Sequence, residues 1–137
     1  KSNVSISTAG VATVNFTAGS SGVNYYIVFK HRNSIETWST PVSFTSGSLA
    51  YDFTTAATKA FGSNMIKKGT KWCIYSGDVN QDGTVDLNDM TPIDNDAFNF
   101  VGGPNLATDV NGDQAVDLND MTIVDNNSFN FISLVRP

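Results

Sequence analysis

One segment of this chain is written twice. DVNQDGTVDLNDMTPIDNDAFNFV begins at Asp78 and DVNGDQAVDLNDMTIVDNNSFNFI begins at Asp109, an offset of 31 residues with 16 of 24 positions identical. Such a duplication points to two copies of one supersecondary unit packed on each other. In both copies Asp or Asn occupies places 1, 3, 5, 9 and 12. A twelve-residue loop with oxygens at those intervals suits calcium, a hard cation that takes about 6–8 oxygen ligands at roughly 2.3–2.6 Å. The first loop offers Asp78, Asn80, Asp82, the Thr84 carbonyl, Asp86 and Asp89. The second offers Asp109, Asn111, Asp113, the Ala115 carbonyl, Asp117 and Asp120. The expected cofactor is calcium, two ions. Carboxylates crowded into each loop repel one another unless a cation neutralises them.

Place 6 of such a loop turns sharply at positive φ, which Gly83 accepts and Gln114 resists. The second site is therefore expected to be weaker or slightly reshaped. Val85 and Val116 fall at place 8 and are expected to pair with each other as a short strand. A helix follows each loop: Met90, Ile93, Ala97 and Val101 recur at helical spacing, as do Met121, Val124 and Ser128. Phe98, Phe100, Phe129 and Phe131 are expected to form a shared core between these helices. Pro92 predicts a kink or a late start in the first one.

Charge divides the chain near Gly77. Residues 1–76 sum to +5, whereas the remainder carries eleven aspartates and one arginine, a balance of −10. The acidic part repels nucleic acid and anionic membrane, both of which need positive charge at the contact. No apolar run is long enough to span a bilayer. With a single cysteine, Cys73, there is no internal disulfide and no cysteine metal site. The chain opens at Lys1 with no signal-peptide pattern and reads as a processed product or a fragment.

Residues 1–76 read as strands. Val4–Ser7 and Val11–Phe16 alternate apolar and polar residues, Tyr25–Arg32 is a long candidate strand, and Pro41–Phe44, Leu49–Phe53 and Lys71–Tyr75 supply more. A short helical turn is expected within 54–61. Six or seven short strands with Gly, Ser and Thr turns predict an Ig-like β-sandwich over 1–76, ahead of a calcium-binding domain over 77–137 with repeats at 78–101 and 109–132. The fold class is mainly β plus a small α part. His31, Glu36, Asp52 and Cys73 are too few to assemble a nucleophile, base and orienter, so no enzyme is expected here.

Residues 78–132 resemble a dockerin module, with the duplicated loop and helix, Asp at place 12, and no helix entering the first loop. The preceding β-rich part is similar to the X-modules that accompany dockerins. The resemblance implies two calcium ions and an EF-hand-type loop–helix pair that meets a cohesin-like receptor. It places Leu87, Asn88, Leu118 and Asn119, at loop places 10 and 11, in the partner contact, and their near identity implies two binding orientations. Asp94-Asn95 and Asp125-Asn126 stand where clostridial dockerins often carry Lys or Arg.

The leading functional expectation is a non-catalytic, secreted or cell-surface module that binds a protein partner in calcium. The alternative is a structural subunit of an extracellular filament or layer, in which copies of itself meet head to tail through opposite charges. A third reading is carbohydrate binding, with a glycan contact on Trp38, Trp72, Tyr25 and Tyr26.

Overall fold

The computed structural model describes residues 4–16 and 19–137; residues 1–3 and 17–18 of the expected sandwich lie outside it. The architecture is small and mixed, with short antiparallel strand pairs and two helices. The strands are β1 (Asn24–Tyr25), β2 (Val28–His31), β3 (Ser34–Trp38), β4 (Val42–Ser43), β5 (Ile66–Lys68) and β6 (Lys71–Cys73), and the helices are α1 (Leu87–Phe98) and α2 (Leu118–Phe129). They form three separate two-stranded sheets, β1 with β4, β2 with β3 and β5 with β6. No closed sandwich occurs among the described residues.

Several expected strands differ. Val4–Ser7 and Val11–Phe16 alternate as strands do, yet they join no ladder; Val4, Ile6, Val11 and Phe16 stay exposed. Tyr25–Arg32 divides into β1 and β2, which pair with different partners. Leu49–Phe53 makes no strand. Asp52 instead accepts the Thr54 N–H and opens a 3-10 turn at Phe53–Thr55, followed by two more at Ala57–Lys59 and Phe61–Ser63.

The two helices begin as their sequences dictate. Asp86 caps α1 and Asp117 caps α2, each in a reciprocal capping box with the Asp three residues on. Because Asp86 fixes the first turn, α1 starts at Leu87 and matches α2 in length, so the late start expected from Pro92 does not occur. Ile93 and Val124 are fully buried. They join Ile35, Val85, Val110 and Val116 in one core, against which Met90, Ala97, Val101, Met121 and Ile132 pack. This core crosses the charge boundary, since Ile35 comes from β3. Gly77 lies at that crossing with φ of 115°, and a Cβ there would meet Val85 and Val124 side chains at 3.1 and 3.2 Å.

The four phenylalanines do not form the expected inter-helix core. Phe98, Phe100, Phe129 and Phe131 are 83%, 92%, 82% and 88% exposed. Asp89, Ile93 and Ala97 define the inward face of α1. Phe98 lies about 100° round the helix from Ala97 and so points out. The pairing of Val85 with Val116 is also corrected. The Val85 N–H donates to the Ile132 carbonyl and the Val116 N–H to the Val101 carbonyl. Each loop thus leaves along the segment that follows the other copy's helix, and both valines are buried in the shared core.

Candidate metal centre

Each loop is folded by its own carboxylates. In the first, Asn80 Oδ1 accepts the Asp82 N–H and Asp82 Oδ1 accepts the Thr84 N–H, successive Asx turns that curl the backbone. Asp89, fully buried, accepts the Val79 and Asn80 N–H groups on one oxygen and the Asp86 N–H on the other. Asp86 accepts the Asn88 N–H. The second loop repeats this: Asn111 and Asp113 accept from Asp113 and Ala115, Asp120 accepts from Val110, Asn111 and Asp117, and Asp117 accepts from Asn119. The carbonyl-bearing residues Thr84 and Ala115 sit in isolated bridges to Ser133 and Gly102.

The loops differ at place 1. Asp109 is fully served, with Oδ1 accepting from Gly112 and Asp113 and Oδ2 from Gln114. Asp78 is 2% exposed; its Oδ2 accepts the Gly83 N–H at 3.2 Å, and its Oδ1 is buried with no partner. An unsatisfied buried carboxylate oxygen is costly. Burial first, then the Asp89 and Asp82 charges, pushes the Asp78 carboxyl up to about 6 from 3.8. The folded metal-free chain thus holds this proton more tightly than the unfolded chain. Its stability should fall as pH rises from 3.8 to about 6. A cation favours the ionised form, so stabilisation by added calcium should grow across the same window. Melting curves between pH 4 and 7.5, with and without calcium, check this; a gap that does not change with pH contradicts it.

Positive φ occurs at two places in each loop, 4 and 6. Gln81 and Gly83 have φ of 61° and 89°; Gly112 and Gln114 have 84° and 72°. The copies exchange one glycine and one glutamine between these places. Gln114 does adopt the left-handed conformation its position demands, a cost of about 1 kcal/mol. Gln114 is already left-handed without an ion, so Gln114→Gly should stabilise the folded chain by about 1 kcal/mol and raise its melting temperature; a melting temperature that stays unchanged or falls would show that the turn is not strained. The requirement at place 4 was missed from sequence, although Gly112 signals it.

Side chains from the first 76 residues also hold the loops, which sequence reasoning did not find. Asn33 Nδ2 donates to the Asp109 carbonyl at 2.7 Å, Arg32 Nε to the Leu106 carbonyl at 2.8 Å, and Ser76 Oγ to the Val110 carbonyl at 2.8 Å. In return Asn127 Nδ2 reaches the Ser76 carbonyl. The tight turn between β2 and β3 presents Asn33, but no spacing in the sequence announces its partner 76 residues on.

The candidate partner residues lie outside. Leu87 and Leu118 are 74% and 72% exposed at the first helical positions. Asn88 and Asn119 are exposed, each turning its amide toward the capping aspartate. Among the other candidates, Tyr26 and Trp38 pack with ring centres 5.9 Å apart and Tyr25 packs on Phe44, while Trp38 donates to Glu36. His31 ends β2, and its imidazole nitrogens meet Asn33 and Arg32. Cys73 is half-buried on β6.

The donors of both loops are hard oxygens without histidine or cysteine, a set that suits calcium and not zinc. No group of three or more His, Cys, Asp or Glu side chains placed to hold a metal occurs among the described residues. Much of the carboxylate capacity faces backbone N–H groups: Oδ1 of Asp89, Asp109 and Asp120 each already accepts two, while Oδ2 of the same residues accepts one and retains an acceptor site. No helix among the described residues is long and apolar enough to cross a membrane. Comparison with family models, curated proteins and solved structures found no match.

Proposed function

We propose that this chain is a non-catalytic extracellular module that binds two calcium ions and, in that state, docks a protein partner in the manner of a dockerin. The observation that carries the reading is the buried, unpartnered Asp78 Oδ1 within a duplicated loop of oxygen donors. A cation there removes the desolvation cost of Asp78 and the repulsion from Asp82 and Asp89 together. Asp78, Asn80, Asp82, the Thr84 carbonyl and Asp89 would hold the first ion, with Asp86 acting through water. Asp109, Asn111, Asp113, the Ala115 carbonyl, Asp117 and Asp120 would hold the second. The ion would neutralise the crowded loop carboxylates next to the starts of α1 and α2, which Asp86 and Asp117 already cap and where Leu87, Asn88, Leu118 and Asn119 face outward. In this reading residues 1–76 are the β-rich carrier of the docking domain.

Isothermal titration of calcium into chelator-treated protein tests the metal, and repeating a cohesin-panel binding assay with and without calcium tests the docking. Two ions per chain and calcium-dependent capture support the proposal. Absence of any binding heat removes the metal, and cohesin silence in saturating calcium removes cohesin-type receptors as the partner.

A further inference from the structure

Each helix closes with the same Schellman cap. The Val101 N–H donates to the Asp96 carbonyl and the Phe100 N–H to Ala97; the Ile132 N–H donates to Asn127 and the Phe131 N–H to Ser128. The residue between the cap and the returning chain must be left-handed, a position that glycine fills at least cost. Here both copies place phenylalanine there, at φ of 53°. The same side chains are 92% and 88% exposed. Neither local conformation nor the core explains an aromatic residue at either position. Strain of this kind persists where function requires it.

The exposed stripe of each helix extends this surface. Leu87, Asp94 and Phe98 share one outward face of α1, and Leu118, Asp125 and Phe129 share that face of α2. A phenylalanine brings about 150–250 Å² when covered, so each pair, Phe98 with Phe100 or Phe129 with Phe131, contributes a sizeable part of the roughly 800 Å² each partner gives to a standard interface. The stripes are apolar at their ends and acidic between, on a chain segment of charge −10. Like stripes repel one another. The complementary surface is the +5 part of the same chain. There β5 and β6 set Lys68 directly opposite Lys71, with Lys67 beside Lys68, an arrangement of like charges that an acidic partner relieves. Lys67 and Lys68 are exposed and make no ion pair among the described residues.

We infer that the Phe98–Phe100 and Phe129–Phe131 surfaces dock onto the basic β5–β6 side of a second copy of this chain, a head-to-tail contact that does not close. The inference rests on the calcium-module part of the reading above and takes a second copy of the chain, in place of a cohesin-type receptor, as the partner.

The test is sedimentation velocity of the full chain in calcium across micromolar to submillimolar concentration, with calcium stoichiometry measured on the same samples. The wild type should form species that keep growing with concentration. Phe100→Gly with Phe131→Gly should weaken association about tenfold or more, while the melting temperature rises and two calcium ions still bind. Lys67→Glu with Lys68→Glu should also give monomers. Mixing the two variants should yield a complex that stops at two chains, because one retains the basic side and the other the phenylalanines. A wild type that stays monomeric, a wild type that stops at a closed dimer, or a mixture that remains monomeric overturns the inference. Growth retained in a chain that binds no calcium leaves this surface standing and removes the calcium reading.

Discussion

Asp78→Ala is expected to reduce calcium stoichiometry from two ions to one. The carboxylate is buried, one oxygen holds the Gly83 turn, and the other has no partner in the protein. Removing it deletes both an anionic donor and the acceptor that fixes place 6. The first site should weaken by about two orders of magnitude or more, since a lost charged donor in a buried site costs about 3 kcal/mol or more. In the metal-free state the same substitution should cost little or even stabilise, because it removes an unsatisfied buried oxygen pressed by Asp89 and Asp82. The sign reversal between the two states separates a ligand from a structural residue. Calorimetric titration and melting of both proteins, with and without calcium, check it. Asp109→Ala lacks that reversal, because Asp109 is fully hydrogen-bonded and its loss frees three backbone N–H groups in either state.

Chelation is the second large effect. At calcium about 100-fold above the dissociation constant, each ion stabilises the folded state by about 2.7 kcal/mol. Two ions give about 5 kcal/mol, which corresponds to a melting shift of roughly 10–20 °C for a chain of this size. The charge boundary alone suggests that chelation weakens the acidic part far more than the rest. The packing changes the form of that result. Ile35 lies in the same core as Val85, Val110, Val116 and Val124, Asn33 and Ser76 hold carbonyls of the second repeat, and Arg32 holds the Leu106 carbonyl just before it. Chelation is therefore expected to lower one shared transition. Scanning calorimetry that resolved two transitions, with only one moving, would contradict the coupling.

The helices were legible because 3.6-residue spacing acts within a few residues; their caps were not, since place 9 of a calcium loop accounts for Asp86 and Asp117 as ion ligands alone and Pro92 suggests a late start. Gly83 and Gln114 were legible as the helices were: a left-handed turn is a local demand. The β-rich part was not. Val11–Phe16 has the alternation of a strand, but alternation states only that one face can be buried and supplies no partner strand. The phenylalanines misled for a related reason. Their hydrophobicity suggested a core, whereas the angle between Ala97 and Phe98, and the cap geometry at Phe100 and Phe131, turn them outward. The bonds from Asn33 and Arg32 depend on tertiary placement that no local pattern encodes.

The central claim is that two duplicated oxygen loops each enclose a calcium ion. A high-resolution crystal structure of this chain grown in millimolar calcium tests it most directly. The account predicts one anomalous peak beside Asp78 Oδ1 and Asp82, and a second beside Asp109 and Asp113, each surrounded by six to eight oxygens at about 2.3–2.6 Å. Ordered water alone at both positions, with Asp78 Oδ1 still without a cation, would contradict it.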